Sequence, residues 1–326
     1  MCLGKEKMPS CAAQKGPNTF GLSKVTIGLQ THLSPMYAIT GATGQLGQAT
    51  LHALLTQVAP KQVIAVARDP QKAADLRARG VHVRPGDYND PASLTAAFQG
   101  VDTLLFIATS ELAHAVRVQQ HQHVIDAAKQ AGVRHVVYVS GVNPTPTSKF
   151  GASPGHYATE QYLRQSGLAY TLVRDTLYLD LLPLLLGPTV VADGQFYFAA
   201  GEGRVSFVLR TDVAQALANL LTSPGPANQV YELAPAPAHT LAEVASALSE
   251  VVGRPIQYVE ISEEQLASGA RQQQVPEPFI TLLTGMAAAM RDQEFAATSP
   301  ALAQLLGHAP TTLKTYLQTV YGSQVA

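Results

Sequence analysis

The stretch Tyr37–Gln48, YAITGATGQLGQ, contains three glycines, Gly41, Gly44 and Gly47, directly after a short apolar run. The apolar run predicts a strand. The segment after the glycines predicts a helix, because apolar residues recur on one helical face at Leu51, Leu54, Leu55 and Val58. The stretch therefore predicts a strand–loop–helix unit with its glycines in the loop.

Three spaced glycines alone are also typical of an ordinary tight turn. In a strand–loop–helix context they favour a phosphate cradle, which the N-terminus of the following helix supports with free N–H donors. Gly41 would allow the turn, Gly44 the close approach of a pyrophosphate, and Gly47 the close packing of the helix. A P-loop is excluded because no Lys-Ser or Lys-Thr pair ends the motif. The interpretation that follows is dinucleotide binding.

Strands and helices alternate through the following residues. Helix starts are predicted at Asp69-Pro70 and Asp90-Pro91, where Asp is the N-cap and Pro the first helical residue. Alternation of this kind indicates a parallel sheet with helical crossovers, a doubly wound α/β (Rossmann) fold. The predicted strands are 37–40, 62–67, 81–84, 101–108, 135–140 and 170–174.

The alternation ends after Arg174, and this predicts three regions. Residues 1–35 are expected to be a loosely ordered extension and residues 36–175 the dinucleotide-binding domain. Residues 176–326 are expected to form a smaller substrate-side lobe on the edge of the sheet. Two capping boxes predict helices in this lobe, after Thr240 and Ser262.

Composition limits the classes of function. The formal net charge of −1 and the absence of basic blocks give no indication of nucleic-acid binding, and no apolar run is long enough to span a bilayer. Cys2 and Cys11 are the only cysteines, so neither a disulfide framework nor a metal site is expected. We expect a cytoplasmic monomer or homodimer that acts on a small molecule.

The end of the second strand distinguishes NADP from NAD. An acidic residue there binds the ribose of NAD, whereas Arg accommodates the 2′-phosphate of NADP. This strand ends in Arg68, and the following Asp69 is explained as the cap of the next helix. Arg68 is then available for a 2′-phosphate, with an exposed structural role as the alternative. Asp87 and Tyr88, after the third strand, are expected beside the adenine.

The motif with Thr40 before Gly41-x-x-Gly44-x-x-Gly47 resembles the short-chain dehydrogenase/reductase superfamily. Those enzymes usually protonate a nascent alkoxide with a Tyr-x-x-x-Lys pair. None of the 12 tyrosines has Lys four residues later, and Tyr157 has Gln161. The acceptor should then need no positioned acid, as with a quinone or a cationic triarylmethane dye.

Residues 36–326 resemble the NmrA-like atypical branch of that superfamily, which includes bacterial quinone oxidoreductases and triphenylmethane reductases. The stretches that carry the resemblance are AITGATGQLG, VARDPQKAADL, VHVRPGDYNDPASL, HYATEQYLRQSGLAYTLVRDTLY, GQFYFAAGEGRVSFVLRTDVAQA and QVPEPF.

The resemblance implies NADPH as cofactor. Phosphate groups would be held by Arg68 and the loop residues Gly41, Ala42, Thr43, Gly44, Gln45 and Leu46. Ala108, Thr109 and Ser110 would lie under the nicotinamide, with Val173, Arg174 and Asp175 at the mouth of the site.

Three residues are candidates for catalysis. His156 matches the position of a ribose-binding Lys in related proteins, although a partly exposed helix-start histidine is the alternative. Tyr157 lies on the helix that usually carries the catalytic tyrosine. Asp175 stands where relatives usually have Asn, so it adds negative charge beside the nicotinamide.

The function expected is NADPH-dependent hydride transfer to quinones or related electron-poor aromatic acceptors. A non-catalytic NADP(H)-sensing regulator is the alternative, since the missing acid pair is equally compatible with it. A sugar-nucleotide epimerase is disfavoured, because that reaction needs the Tyr/Lys pair.

Overall fold

Seven parallel strands form the central sheet of the protein. The structure, a computed structural model, describes residues 34–223 and 225–322 together with Met1. The doubly wound parallel sheet predicted from the sequence is confirmed. Side by side, its strands are β3 (His82–Pro85), β2 (Val63–Ala67), β1 (Tyr37–Ile39), β4 (Thr103–Ile107), β5 (His135–Gly141), β6 (Ala169–Asp175) and β8 (Gln229–Leu233).

Helices cover both faces of this sheet, which explains why its central strands are almost continuously apolar. One face packs against α1 (Gln45–Leu54), α2 (Ala74–Ala78), α8 (Arg210–Thr222) and α12 (Ala301–Leu306). The other packs against α3 (Pro91–Ala97), α4 (His114–Gln130) and α5 (Ser153–Gln165). Short 3₁₀ helices lie at Pro60–Gln62, Pro70–Ala73 and Leu179–Leu181.

The strand order reverses between β1 and β4. From β1 the chain winds outward through β2 to β3, and then returns to β4 on the other side of β1. Crossover helices on either side of such a reversal diverge, so a crevice opens at the carboxyl ends of the strands. The glycine loop after β1 and the loop after β4 border this crevice.

The residues after β6 build a second hydrophobic core. Its buried members include Phe196, Phe198, Leu248 and Met290. Both predicted capping boxes are present, as Thr240 Oγ1 accepts from Glu243 N at 3.1 Å and Ser262 Oγ accepts from Gln265 N at 3.1 Å. The elements are α6 (Leu182–Leu186), α7 (Val190–Asp193), the parallel pair β7 (Gln195–Phe198) and β9 (Gln257–Glu260), α9 (Leu241–Val252), α10 (Glu263–Gln272), α11 (Glu277–Arg291) and α13 (Leu313–Tyr321).

The described residues from Pro35 to Gly322 form one compact unit. The division into residues 36–175 and 176–326 stays a prediction, although β8 and α8 from the second range belong to the central sheet and its covering layer. The predicted extension over residues 1–35, with Cys2 and Cys11, lies almost wholly outside the described residues. Within the described ranges, no helix is both long and apolar enough to cross a membrane.

Candidate active site

The glycine loop after β1 is held in one tight conformation. Gly41 has φ +62°, a region that only glycine adopts readily, and Gly44 N donates to Gly41 O at 2.9 Å. A Cβ on Gly47 would lie 2.2 Å from Gly41 O, so the first turn of α1 can sit against the loop only because residue 47 has no side chain. Two of the predicted glycine roles are therefore visible as backbone geometry.

The N-terminus of α1 offers donors that no side chain satisfies. Its N-cap is Gly44, without a side-chain hydrogen bond, and its first turn contains no acidic residue. In contrast, α3 is capped by Asp90, which accepts from Ala92 N and Ser93 N. Open donors and the helix dipole at one point make a binding site for an anion such as a pyrophosphate.

A cleft of about 1130 Å³ runs from this loop along the carboxyl ends of β2, β3 and β4. Nine of the predicted cofactor residues line it: Gly41, Thr43, Gly44, Arg68, Asp87, Tyr88, Ala108, Thr109 and Ser110. The other predicted loop residues are Ala42, Gln45 and Leu46. The side chains of Ala42 and Leu46 are buried, so these two residues can offer a ligand only their backbone, whereas Gln45 is exposed. The structure thus brings the predicted phosphate, adenine and nicotinamide regions into one cleft.

A second cation lines the cleft beside Arg68. Asp69 Oδ1 accepts from Gln71 N at 3.0 Å, which confirms its role as a cap and leaves Arg68 without a hydrogen bond or ion pair to any residue described. Lys72 also lines the cleft, and the sequence analysis missed it. The signal was its position in the first turn after the Asp69-Pro70 cap, four residues after Arg68. Two exposed cations here suit a 2′-phosphate.

At the expected adenine end, the polar groups of Asp87 and Tyr88 already have partners. Asp87 Oδ1 accepts from Asn89 N at 2.9 Å, and the Tyr88 hydroxyl donates to Ile107 O at 2.7 Å. Burial raises the pKa of Tyr88 far above its ordinary value, so the phenol stays protonated. Asp87 thus combines the turn role and the cleft position that the sequence left open.

Helix α11 contributes to the wall of the cleft. Pro278, Phe279 and Thr281 line the cleft opposite the loop after β4, and Phe279 is exposed. A smaller pocket of about 350 Å³ adjoins the cleft, and the two share Glu111, Leu112, Pro278 and Thr281 as walls. The motif QVPEPF covers the start of α11, but no role was predicted for its residues.

A buried side chain fixes the loop after β4 from behind. Arg117, on α4, donates from Nη1 to Thr109 O at 2.9 Å and to Glu111 O at 3.1 Å. His121 Nε2 accepts from Thr109 N at 3.1 Å. These bonds hold the predicted nicotinamide wall in place, and the sequence analysis assigned no role to Arg117.

His121 and His156 are both neutral. His121 Nε2 accepts, so its proton lies on Nδ1, 2.7 Å from Thr159 Oγ1, and burial and Arg117 lower its pKa to about 3. His156 Nε2 accepts from Arg117 Nη2 at 3.1 Å, and its Nδ1 lies 2.8 Å from the Tyr138 hydroxyl. Burial and the charge of Arg117 hold the pKa of His156 well below its ordinary value.

The structure keeps the three catalytic candidates away from the walls of the cleft and pocket as far as the described residues define them. His156 is buried, which contradicts the alternative of a partly exposed histidine, and its ring is occupied by Arg117 and Tyr138. Tyr157 is exposed on the outer side of α5. Asp175 is paired with the Tyr178 hydroxyl. Direct proton transfer by these groups stays a prediction without support from the geometry.

Val173 and Arg174 have structural surroundings. Val173 is fully buried in the core, so its side chain cannot reach a ligand. Arg174 donates from Nη2 to Glu160 Oε2 at 2.7 Å and from Nη1 to Glu232 Oε1 at 3.1 Å. Ser140 donates to the same buried carboxylate, Glu160, at 2.7 Å. Arg174 thus compensates a buried charge, and the structure does not bring it to the cleft.

The carboxyl of Asp175 has a strongly raised pKa. Burial raises its pKa from 3.8 to about 7, against the opposing effects of the Tyr178 hydroxyl and Arg210. The folded protein therefore binds this proton more tightly than the unfolded chain does. Stability should consequently fall as the pH rises from about 4 through about 7, where the folded carboxyl ionises.

Asp175→Asn should remove this pH dependence. Asn keeps an oxygen that accepts from Tyr178 but carries no charge. We expect the variant to gain stability relative to the wild type between pH 5 and pH 8, by about 1–3 kcal/mol. Urea unfolding at both pH values measures the difference, with Asp292→Asn, an exposed carboxylate, as the control. The same stability difference between Asp175→Asn and wild type at both pH values would contradict the raised pKa.

Comparison with known proteins agrees with the geometry. Residues 41–224 match the model of a family described as NAD(P)H-binding. The chain is 38% identical over 285 residues to Quinone oxidoreductase 2 of Escherichia coli (strain K12), covering 85% of this chain and 96% of that protein.

Solved structures with bound cofactor are similar over nearly the whole chain. An NADPH-dependent quinone oxidoreductase from Escherichia coli in complex with NADPH has a TM-score of 0.83 and 37% identity, covering 88% of this chain and all (100%) of that one. Triphenylmethane reductase from Citrobacter sp. in complex with NADP(H) has a TM-score of 0.83 and 35% identity, covering 87% and 99%. The negative transcriptional regulator Nmra, at 18% identity and a TM-score of 0.70 over 89% of this chain and 97% of its own, shares the fold alone.

Proposed function

This chain belongs to the NmrA-like family of NAD(P)H-binding proteins, and from that premise we propose that it is an NADPH-dependent oxidoreductase acting on quinones or related electron-poor aromatic acceptors. One observation carries the proposal. A single cleft has open helix donors and two cations at one end and adjoins a small pocket at the other. This is the arrangement that a dinucleotide and a second, smaller reactant require.

Each part of the cleft suits one part of NADPH. The backbone of residues 41–46 would hold the pyrophosphate, Arg68 and Lys72 the 2′-phosphate, and Ala108–Ser110 the nicotinamide. Bound there, the reduced nicotinamide supplies a hydride. The protein's own contribution is to fix the loop after β4 through Arg117 and His121 and to cover the pocket with α11.

The choice of acceptor rests on the missing Tyr-x-x-x-Lys pair. His121 and His156 are neutral and have partners, and the Tyr88 and Tyr138 phenols are kept protonated by burial. An acceptor whose reduced form takes its proton from water, or needs none, suits this site. Quinones and triarylmethane dyes are of this kind. A cytoplasmic location fits the low cysteine content.

A turnover assay tests the proposal. Purified protein should oxidise NADPH when given a small benzoquinone or naphthoquinone, and should do so more slowly with NADH at the same concentration. A sensor would instead bind NADPH and NADP⁺ with different affinities and consume neither. Binding without turnover across quinones and cationic dyes would therefore reject the reductase in favour of the sensor.

A further inference from the structure

The small pocket beside the cleft is lined by four charged side chains. They are Arg117, Lys149, Glu111 and Glu263, and the remaining walls come largely from α11 and from Gly151-Ala152. Lys149 is exposed to solvent, whereas Arg117 is only 7% exposed. Water screens the charge of the lysine far more than that of the arginine, so the arginine dominates the field inside the pocket.

Arg117 is a buried cation, and no carboxylate of the described residues forms an ion pair with it. Its nitrogens donate to two backbone carbonyls and to neutral His156, and its Nε has no hydrogen-bond partner among the described residues. Gly155 makes room for it, because a Cβ there would lie 2.7 Å from Arg117 Cδ. Although burial lowers its pKa, a guanidinium stays protonated in proteins, so the positive charge persists.

Neither acid in the pocket forms an ion pair with Arg117, although the charge of Glu111 acts to raise the pKa of the guanidinium. Glu111 Oε1 accepts from Leu112 N and Ala113 N, both at 2.9 Å, and Glu263 is paired with Arg291. The other titratable groups packed around Arg117 are His121, His156 and Tyr138, all uncharged near neutral pH. The part of the pocket wall that Arg117 forms therefore carries a buried positive charge.

We infer that the guanidinium of Arg117 stabilises the negative charge that forms on the acceptor, so that the pocket selects neutral quinones over cationic dyes. The inference rests on the proposed function for the identity of the acceptors. The inference assigns selection among these acceptors to Arg117, a residue for which the family resemblance implied no role.

The charge balance of the two reactions explains the selection. A hydride carries one hydrogen nucleus and two electrons, and its loss oxidises the nicotinamide. Added to a neutral quinone, it forms one O–H bond and leaves the other oxygen negative, until water supplies the second proton. Added to a cationic triarylmethane dye, it forms one C–H bond and leaves a neutral product. A fixed cation therefore favours the transition state of the first reaction and opposes binding of the second acceptor.

Arg117→Gln separates charge from positioning. Glutamine can still donate to the loop carbonyls but carries no charge. We expect kcat/KM for a benzoquinone to fall about 10- to 100-fold, while kcat/KM for a cationic dye stays constant or rises. Lys149→Gln removes an exposed charge at the same pocket and should change either value less than about threefold. If Arg117 only held the loop in place, its replacement would lower kcat/KM for the benzoquinone and for the dye by the same factor.

A second measurement requires no turnover. The phenolate of 4-nitrophenol resembles the hydroquinone monoanion that hydride transfer forms, and it absorbs visible light, so ionisation of the bound phenol can be followed. Wild-type protein saturated with NADP⁺ should lower the pKa of the bound phenol relative to the free phenol. Arg117→Gln should abolish most of that shift, and Lys149→Gln should retain it.

The two experiments fail in different ways. If neither quinones nor dyes are reduced by the wild type, the proposed function is wrong, and the phenol titration still tests Arg117. If wild type and Arg117→Gln titrate the phenol alike, or if the variant loses quinone and dye reduction in parallel, the assignment of charge selection to Arg117 is overturned.

Discussion

Gly47→Ala should lose most of its affinity for NADPH, by about 100-fold or more. The new Cβ would lie 2.2 Å from Gly41 O, 2.9 Å from Gly41 C and 3.0 Å from Ala42 Cα, and all three are backbone atoms that no rotamer change can move aside. The loop or the helix must shift, and the backbone N–H groups at the start of α1 then no longer lie within hydrogen-bonding distance of the pyrophosphate. Each charge-assisted hydrogen bond lost costs about 1.5–3 kcal/mol.

The loss of NADPH affinity in Gly47→Ala results from the clash with the loop and not from the helix propensity of alanine. Within a helix, Ala is more favourable than Gly by about 1 kcal/mol, so the same change should stabilise a helix with open space around it. Gly269 in α10 provides that control, since a Cβ there meets nothing within 4 Å. Titration calorimetry should find Gly269→Ala equal to the wild type for NADPH. Equal binding by Gly47→Ala would mean that the glycine loop is not the cradle.

Arg68→Ala should weaken NADPH binding by about 10- to 100-fold and leave NADH nearly unchanged. The two cofactors differ in the 2′-phosphate, and a bidentate contact from a guanidinium to a phosphate is the strongest that this part of the cleft can offer. Lys72→Ala should cause a smaller loss in the same direction, because an ammonium binds as a point charge.

Arg79→Ala is the matched control for this test. Arg79 is an exposed arginine at the end of α2 that does not line the cleft, so its removal changes the net charge by the same amount. Fluorescence titration with NADPH and NADH should detect no change for it. Should Arg68→Ala weaken both cofactors equally, the 2′-phosphate lies elsewhere.

The central part of the fold was predictable because its signals are local. Each of the strands β1 to β6 was predicted within two residues of its bounds, from an apolar run or from a turn and cap signal beside it. The edge strand β8 was missed because Gln229 and Val230 are exposed, so the segment QVYEL lacks the apolar run of the central strands. Edge position is decided by tertiary packing and leaves little trace in composition.

Site residues were predictable where their role depends on local backbone geometry or on a charge next to the end of a strand. Gly41, Gly47 and Arg68 are of this kind. Arg174 and His156 were placed by resemblance, and the structure shows instead that long-range partners occupy them, Glu160 in one case and Arg117 in the other. Contacts between residues 14 and 39 positions apart, as here, have no local signature.

Arg117 had a signal that the sequence analysis did not use. On α4 it precedes His121 by four residues, and Val124, Ile125 and Ala128 continue the same buried face. A cation at such a position must find buried acceptors, because leaving it unpaired in the core is costly. An arginine on the apolar side of a helix that follows a cofactor-binding loop therefore indicates a loop-holding role.

The central claim is that hydride passes directly from NADPH, held in this cleft, to the acceptor. Turnover of a benzoquinone with NADPH deuterated separately on each face of nicotinamide C4 tests it most directly. We predict a primary isotope effect of about twofold or more for one face only, since a rigid cleft presents one face to the pocket. NADPH consumption without an isotope effect from either face, or binding with no consumption at all, would contradict the claim.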